Sequence, residues 1–315
     1  MSLSLEIKKF INSEHTGSYA TLSLPVVPLE AKGKKPTNEG EEPPAEQAPE
    51  FVHAKMHYVE AGNGEPMILV HTIGQSLYTW RNVFDRLSQH YRVIAVDLFG
   101  HGYSDRPEAF GYTIRDHAET LGFFMDALGI ESAHFVAFSM GCAYGMQFAM
   151  DNPTRVGRMV MIGPGGLSQQ MPTPVKLMDS TVFGFAASML YGMGTVRRLL
   201  EDCFFDLTHI TDEVVQGYYR PASDNLARRM IRYSLHFFDD TELLSHLREI
   251  NVPLLMLQGS EDKWRSAAQA ELYHAAMPQV AFSVVRNAGH LLHEEKPQNL
   301  VSAVLEFIPV VMMEA

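Results

Sequence analysis

The run Ala137-Phe138-Ser139-Met140-Gly141 places a serine between small residues two positions to either side. It ends an apolar stretch, AHFVAF at 133–138, and opens a stretch of helical character from Met140 to about Met150. A serine on a sharp strand-to-helix turn is presented as a nucleophile, and the turn brings its flanking positions so close that small side chains are needed there. The pentapeptide alone is common; its position between strand and helix is what marks Ser139. A serine hydroxyl attacks poorly at neutral pH unless a base takes its proton. Of the 14 histidines, His290 has the fitting context. It lies in Asn287-Ala288-Gly289-His290, just after the apolar run AFSVV at 281–285. His293 falls in the helical stretch that follows. The base needs a carboxylate to orient it, and Gly259-Ser260-Glu261-Asp262 follows the apolar run PLLMLQG at 253–259. Asp262 is favoured over Glu261 because Gly259 turns the chain and the acid falls three residues later. After the run at 157–163 stands Gly163-Pro164-Gly165-Gly166, with no carboxylate. Charge developing on a substrate oxygen requires N–H donors. Met140 should supply one, and the loop His71-Thr72-Ile73-Gly74 the second.

Those residues need a scaffold with one common edge. Strands are expected at 18–27, 53–60, 66–71, 92–98, 133–138, 157–163, 253–259 and 281–285, with helices over 76–90, from a Thr113–Asp116 capping box through Leu128, near 265–277 and from about 292. Apolar strands alternating with helices predict an α/β fold with a mostly parallel central sheet covered on both faces. The rhythm breaks at about 166–246, where helical stretches replace strands. This segment is expected to be a helical cap inserted between core segments 51–165 and 247–315. Residues 1–50 form an N-terminal extension with one strand, and 28–50, rich in Pro, Glu, Lys and Gly, is expected to be an exposed, mobile loop.

Composition narrows the partners. Lys and Arg number 25 against 37 Asp and Glu, a formal charge of −12. An acidic surface repels a phosphate backbone, which argues against nucleic acid. The two cysteines, Cys142 and Cys203, lack disulfide-framework or metal spacing and are expected to be reduced thiols. No apolar run is long enough to span a bilayer and no secretory leader is visible, so a cytoplasmic location is expected. No phosphate-cradling G-x-x-x-x-G-K pattern or metal-ligand cluster is present, and no cofactor or metal is expected.

Taken together, HTIG at 71–74, DLFGHGYSD at 97–105, AFSMG at 137–141, GSED at 259–262 and AGH at 288–290 resemble the α/β-hydrolase superfamily in its helical-cap branch. The resemblance covers about residues 51–310. It implies the order Ser139, Asp262, His290 for a catalytic triad and an oxyanion hole formed by the N–H groups of Ile73 and Met140. One departure is Thr72, where the family usually has glycine; its hydroxyl is a possible extra donor. Haloalkane dehalogenases and epoxide hydrolases of this fold use an aspartate nucleophile, and Ser139 argues against both. Carbon–carbon hydrolases of ring-cleavage products usually carry tryptophan after the histidine, where Leu291 stands. The leading expectation is a serine esterase for a small hydrophobic ester, thioester or lactone. Carbon–carbon hydrolysis, acyl cyclisation and slow-turnover binding of a small molecule are the alternatives. Thr72, Met171, Met178, Met189 and Tyr191 are the candidate substrate contacts. With only Lys176 among the cations of 166–195, neutral apolar groups are expected to be preferred over charged ones.

Overall fold

The computed structural model describes residues 10, 17–25, 51–165, 191–265, 273 and 275–310. The expected loop at 28–50, most of 166–195 and most of the helix expected at 265–277 lie outside them. The strands are β1 (Ser18–Pro25), β2 (Phe51–Ala61), β3 (Pro66–Val70), β4 (Arg92–Val96), β5 (Ala133–Phe138), β6 (Val156–Ile162), β7 (Leu254–Gly259) and β8 (Ala281–Val285). They form one sheet in the order β1-β2-β4-β3-β5-β6-β7-β8. The pairs β1–β2 and β2–β4 are antiparallel, and every pairing from β4 to β8 is parallel.

The continuous apolar runs are explained by burial on both faces. In β3, Ile68 and Val70 join one core while Met67 and Leu69 join the other; in β5, Phe135 and Ala137 alternate with Val136 and Phe138 in the same way. The first face is covered by α1 (Ile114–Ala127) and α2 (Gly141–Asp151). The capping box on α1 is present: Thr113 accepts from Asp116 N–H while Asp116 accepts from Thr113 N–H. Between β6 and β7 run α3 (Met193–Cys203), α4 (Asp212–Tyr219) and α5 (Asn225–His236). Thr211 and Asp224 cap α4 and α5 through their side chains. The C-terminal α6 (Pro297–Phe307) packs on the second face. Cys142 and Cys203 are buried free thiols. No helix among the described residues is long and apolar enough to cross a membrane.

Two helical expectations need correction. The segment 76–90 is not one helix but a tight turn, Leu77–Trp80, and a single helical turn, Phe84–Leu87. Its Tyr, Thr, Trp, Asn and Val are weak helix formers. Thr79, Arg81 and Asn82 instead reach across to Glu294: Thr79 Oγ1 and Arg81 donate to its carboxylate, and the Asn82 amide donates to its carbonyl. The terminal helix is broken in two, Leu292–Glu295 and Pro297–Phe307, because Pro297 has no N–H to continue the first but suits the opening of the second.

Glu294 and Glu295 are both buried. Burying a carboxylate costs several kcal/mol unless it is fully paired, and here every oxygen has a donor. Glu294 is met by Arg81, Thr79 and the Tyr218 hydroxyl of α4. Glu295 accepts from Gly289 N at 2.6 Å, Asp206 N at 2.8 Å and Phe205 N at 3.0 Å. The pair therefore ties the loop carrying His290 to the end of α3 and to α4.

Candidate active site

Ser139 sits just past the C-terminal end of β5 with φ of 52°, a conformation that costs a non-glycine residue about 1–3 kcal/mol. The surroundings hold it there. Its N–H donates to Ile162 O at 2.9 Å, and its carbonyl accepts from Gly165 N at 2.9 Å and Cys142 N at 3.0 Å. The glycine two residues later is required by close approach: a Cβ on Gly141 would lie 2.3 Å from the carbonyl oxygen of His71.

His290 is brought to Ser139 by the loop after β8. Its Nε2 lies 3.0 Å from Ser139 Oγ and its Nδ1 2.8 Å from Asp262 Oδ2. An ionised carboxylate only accepts, so Nδ1 carries the hydrogen and Nε2 presents a lone pair to the serine hydroxyl. The second carboxylate oxygen of Asp262 accepts from Trp264 N at 2.8 Å and Arg265 N at 2.9 Å, which fixes the acid after the turn at Gly259. Gly163 makes room: a Cβ there would stand 3.0 Å from His290 Nδ1 and 3.3 Å from Asp262 Oδ2. The competing residues are elsewhere. Glu261 is exposed, with its carboxylate on the Ser260 hydroxyl. His293 is buried with Nε2 2.7 Å from Thr79 Oγ1.

These side chains line an open cleft. Thr72, Ile73 and Met140 border it, and Met140 N–H points at Thr72 Oγ1, 3.2 Å away. The far wall comes from the helices between β6 and β7: Val196, Leu199 and Leu200 of α3, Tyr218 of α4, and Ile231 and Leu235 of α5. Tyr191 joins this wall, stacked on Tyr219, and burial pushes its hydroxyl pKa up to about 12. Met171, Met178 and Met189 lie outside the described residues.

Among the lining residues that the sequence reading missed, three bear directly on the chemistry. Trp264 stacks on the His290 ring, with centroids 5.6 Å apart and planes 14° from parallel. Arg265 and Arg228 also line the cleft, each with a buried Nε that has no partner among the described residues. Trp264 and Arg265 carried a signal, since one of only two tryptophans and an adjacent arginine follow Asp262 within three residues. Arg228 carried none, because helix α5 meets the sheet edge only in the folded chain.

Residues 65–297 match the family model of the alpha/beta hydrolase fold. The chain is 29% identical to 2-hydroxy-6-oxo-6-phenylhexa-2,4-dienoate hydrolase of Comamonas testosteroni, over 80% of this chain and 91% of the relative. Among solved structures, it resembles a meta-cleavage product hydrolase with a TM-score of 0.69 and 25% identity, over 81% of this chain and 94% of the other. An epoxide hydrolase, CorEH, matches with a TM-score of 0.68 and 27% identity over the same shares. With eight strands in a mostly parallel sheet and a match across most of its length, the chain belongs to the alpha/beta hydrolase fold family.

Proposed function

We propose that this hydrolase is a serine hydrolase acting on small, largely lipophilic acyl compounds. Ser139 attacks the acyl carbon while His290 takes its proton. Asp262 keeps the imidazole in the right tautomer and stabilises the imidazolium. His290 then gives the proton to the leaving group, and water activated by the same imidazole releases the acyl group from Ser139. The oxyanion hole lies between the loop at Ile73 and the turn at Met140, and α3, α4 and α5 act as a cap within an insertion at about 166–246. The observation that carries this reading is the hydrogen-bonded series Ser139–His290–Asp262, at 3.0 and 2.8 Å, inside a cleft with apolar walls. It favours esters, thioesters and lactones as substrates.

A second reading, carbon–carbon hydrolysis of an acidic substrate, is favoured by Arg228 and Arg265. Two guanidinium groups on one small cleft suit a carboxylate, and the Comamonas relative is named for a dienoate. They also bear on the expected preference for neutral over charged groups, which weighed only the cations of 166–195.

Two substrate series separate the readings. Across p-nitrophenyl acetate, butyrate and hexanoate, kcat/KM should rise by up to about fourfold per methylene, the equivalent of about 0.8 kcal/mol. A steady fall from acetate would contradict an apolar cleft. With 2-hydroxy-6-oxo-6-phenylhexa-2,4-dienoate, product mass reports carbon–carbon cleavage. If the second reading holds, Arg228→Gln and Arg265→Gln each raise KM for the dienoate at least tenfold while leaving the butyrate ester within about twofold. Efficient ester turnover with no dienoate cleavage rejects it.

A further inference from the structure

The oxyanion donor expected at Met140 is already engaged. Its N–H donates to Thr72 Oγ1 at 3.2 Å, and Thr72 is buried at the cleft edge beside Ser139 and Ile73. A hydroxyl has one hydrogen to give and two lone pairs. One lone pair is taken by Met140, and among the described residues no acceptor takes the hydrogen.

We propose that Thr72 is a catalytic residue: its hydroxyl stands between the Met140 N–H and the substrate, and donates its own hydrogen to the oxygen that becomes negative. This rests on the serine-hydrolase reading and adds to it a relayed oxyanion hole. Met140 N–H polarises the Thr72 hydroxyl, which delivers that polarisation to the oxyanion alongside the Ile73 N–H. No bond to Thr72 forms or breaks, and its proton stays on Oγ1.

The loop is built to hold such a donor still. His71 Nε2 accepts from Leu98 N at 3.0 Å, so its other nitrogen carries the hydrogen and donates to Thr72 O at 2.7 Å. Gln75 N donates to the same carbonyl at 3.2 Å. The backbone of residue 72 is thus fixed by two donors, and a β-branched side chain has few χ1 choices. A donor fixed before reaction needs no reorganisation when charge develops. Glycine at this position would leave Met140 N–H facing the substrate directly; threonine interposes a hydroxyl and moves the donor outward.

The test compares Thr72→Val, Thr72→Ser and Thr72→Gly on one p-nitrophenyl ester, with melting temperature measured for each. Valine keeps the shape but puts a methyl over Met140 N–H, so kcat should fall about 100-fold with KM within about threefold. Serine should stay within about fivefold of the wild type. Glycine, which frees Met140 N–H, should be at least tenfold faster than valine. The inhibition constant of a trifluoromethyl ketone, which forms a tetrahedral oxyanion on the serine, should rise with the fall in kcat/KM across the series. Equal kcat for valine and wild type overturns the proposal, as does a serine variant as slow as valine. Fluorophosphonate labelling of the wild type distinguishes the two levels. A labelled Ser139 with no Thr72 effect rejects only the relay; an unlabelled Ser139 rejects the serine-hydrolase reading itself. Should the valine variant fail to fold, the serine and glycine variants and their inhibition constants decide.

Discussion

Ser139→Ala and His290→Ala should each lower kcat/KM for an acyl substrate by about 10⁴-fold or more, and combining them should lower it little further. The reason is that the residues act as one unit. Without the serine there is no covalent route for the histidine to assist, and without the histidine the hydroxyl keeps its proton. Asp262→Asn should cost about as much, because an amide facing Nδ1 favours the tautomer whose hydrogen sits on Nε2, where the serine proton must go. The neighbouring Glu261→Gln should stay within about twofold, since Glu261 is exposed and its carboxylate lies on Ser260. Steady-state kinetics on purified variants with unchanged melting temperatures decides this. Single losses that multiply in the double variant would mean that Ser139 and His290 act independently. A Glu261 effect equal to that of Asp262 would mean that the acid is misassigned.

The second large effect is on stability. Lowering the pH from 7.5 to 5.5 should sharply reduce the free energy of unfolding, because the core holds several neutral histidines. His71, His101, His117 and His293 are buried, and loss of hydration lowers the pKa of each, for His101 to about 3. The unfolded chain takes up protons below the ordinary histidine value near 6.5, while the folded chain does not. The stability they contribute is therefore whole above pH 6.5 and is lost as pH falls toward the depressed folded values. Each group adds at most about 1.4 kcal/mol per pH unit once it is protonated in the unfolded chain alone, so the four together are bounded by about 6 kcal/mol per unit. Against a typical total of about 5–15 kcal/mol, this is enough to unfold the protein in mild acid. Urea midpoints at pH 7.5, 6.5 and 5.5 measure it. His117 packs on the rings of Phe110, Tyr112 and Tyr144, and neither of its nitrogens has a partner among the described residues. His117→Phe should reduce the slope of stability with pH. A midpoint unchanged between pH 7.5 and 5.5 would contradict this account of the core.

The fold was legible because its signals are local. Apolar runs such as Pro66–Val70 and Ala133–Phe138, the Thr113 capping box and the serine turn each lie within a few consecutive residues. The candidate triad was legible for the same reason: each member lies within a few residues after a strand's end, and a parallel sheet gathers such ends along one edge. What the sequence hid is long-range. The turns at 77–87 depend on Glu294, more than 200 residues away, and no propensity reports that. Arg228 reaches the cleft from a helix whose orientation only packing decides. The Met140–Thr72 hydrogen bond joins residues 68 apart in the chain, so the sequence showed the unusual threonine but not what its hydroxyl was doing.

The central claim, that Ser139 is the nucleophile, is tested most directly by mapping a fluorophosphonate adduct. After treatment at pH 7.5, intact mass should show one adduct per chain, and peptide mapping should place it on Ser139. Ser139→Ala should remain unmodified under the same conditions, and His290→Ala should react at least 100-fold more slowly. An adduct on another serine, or full labelling of Ser139→Ala, would contradict the account.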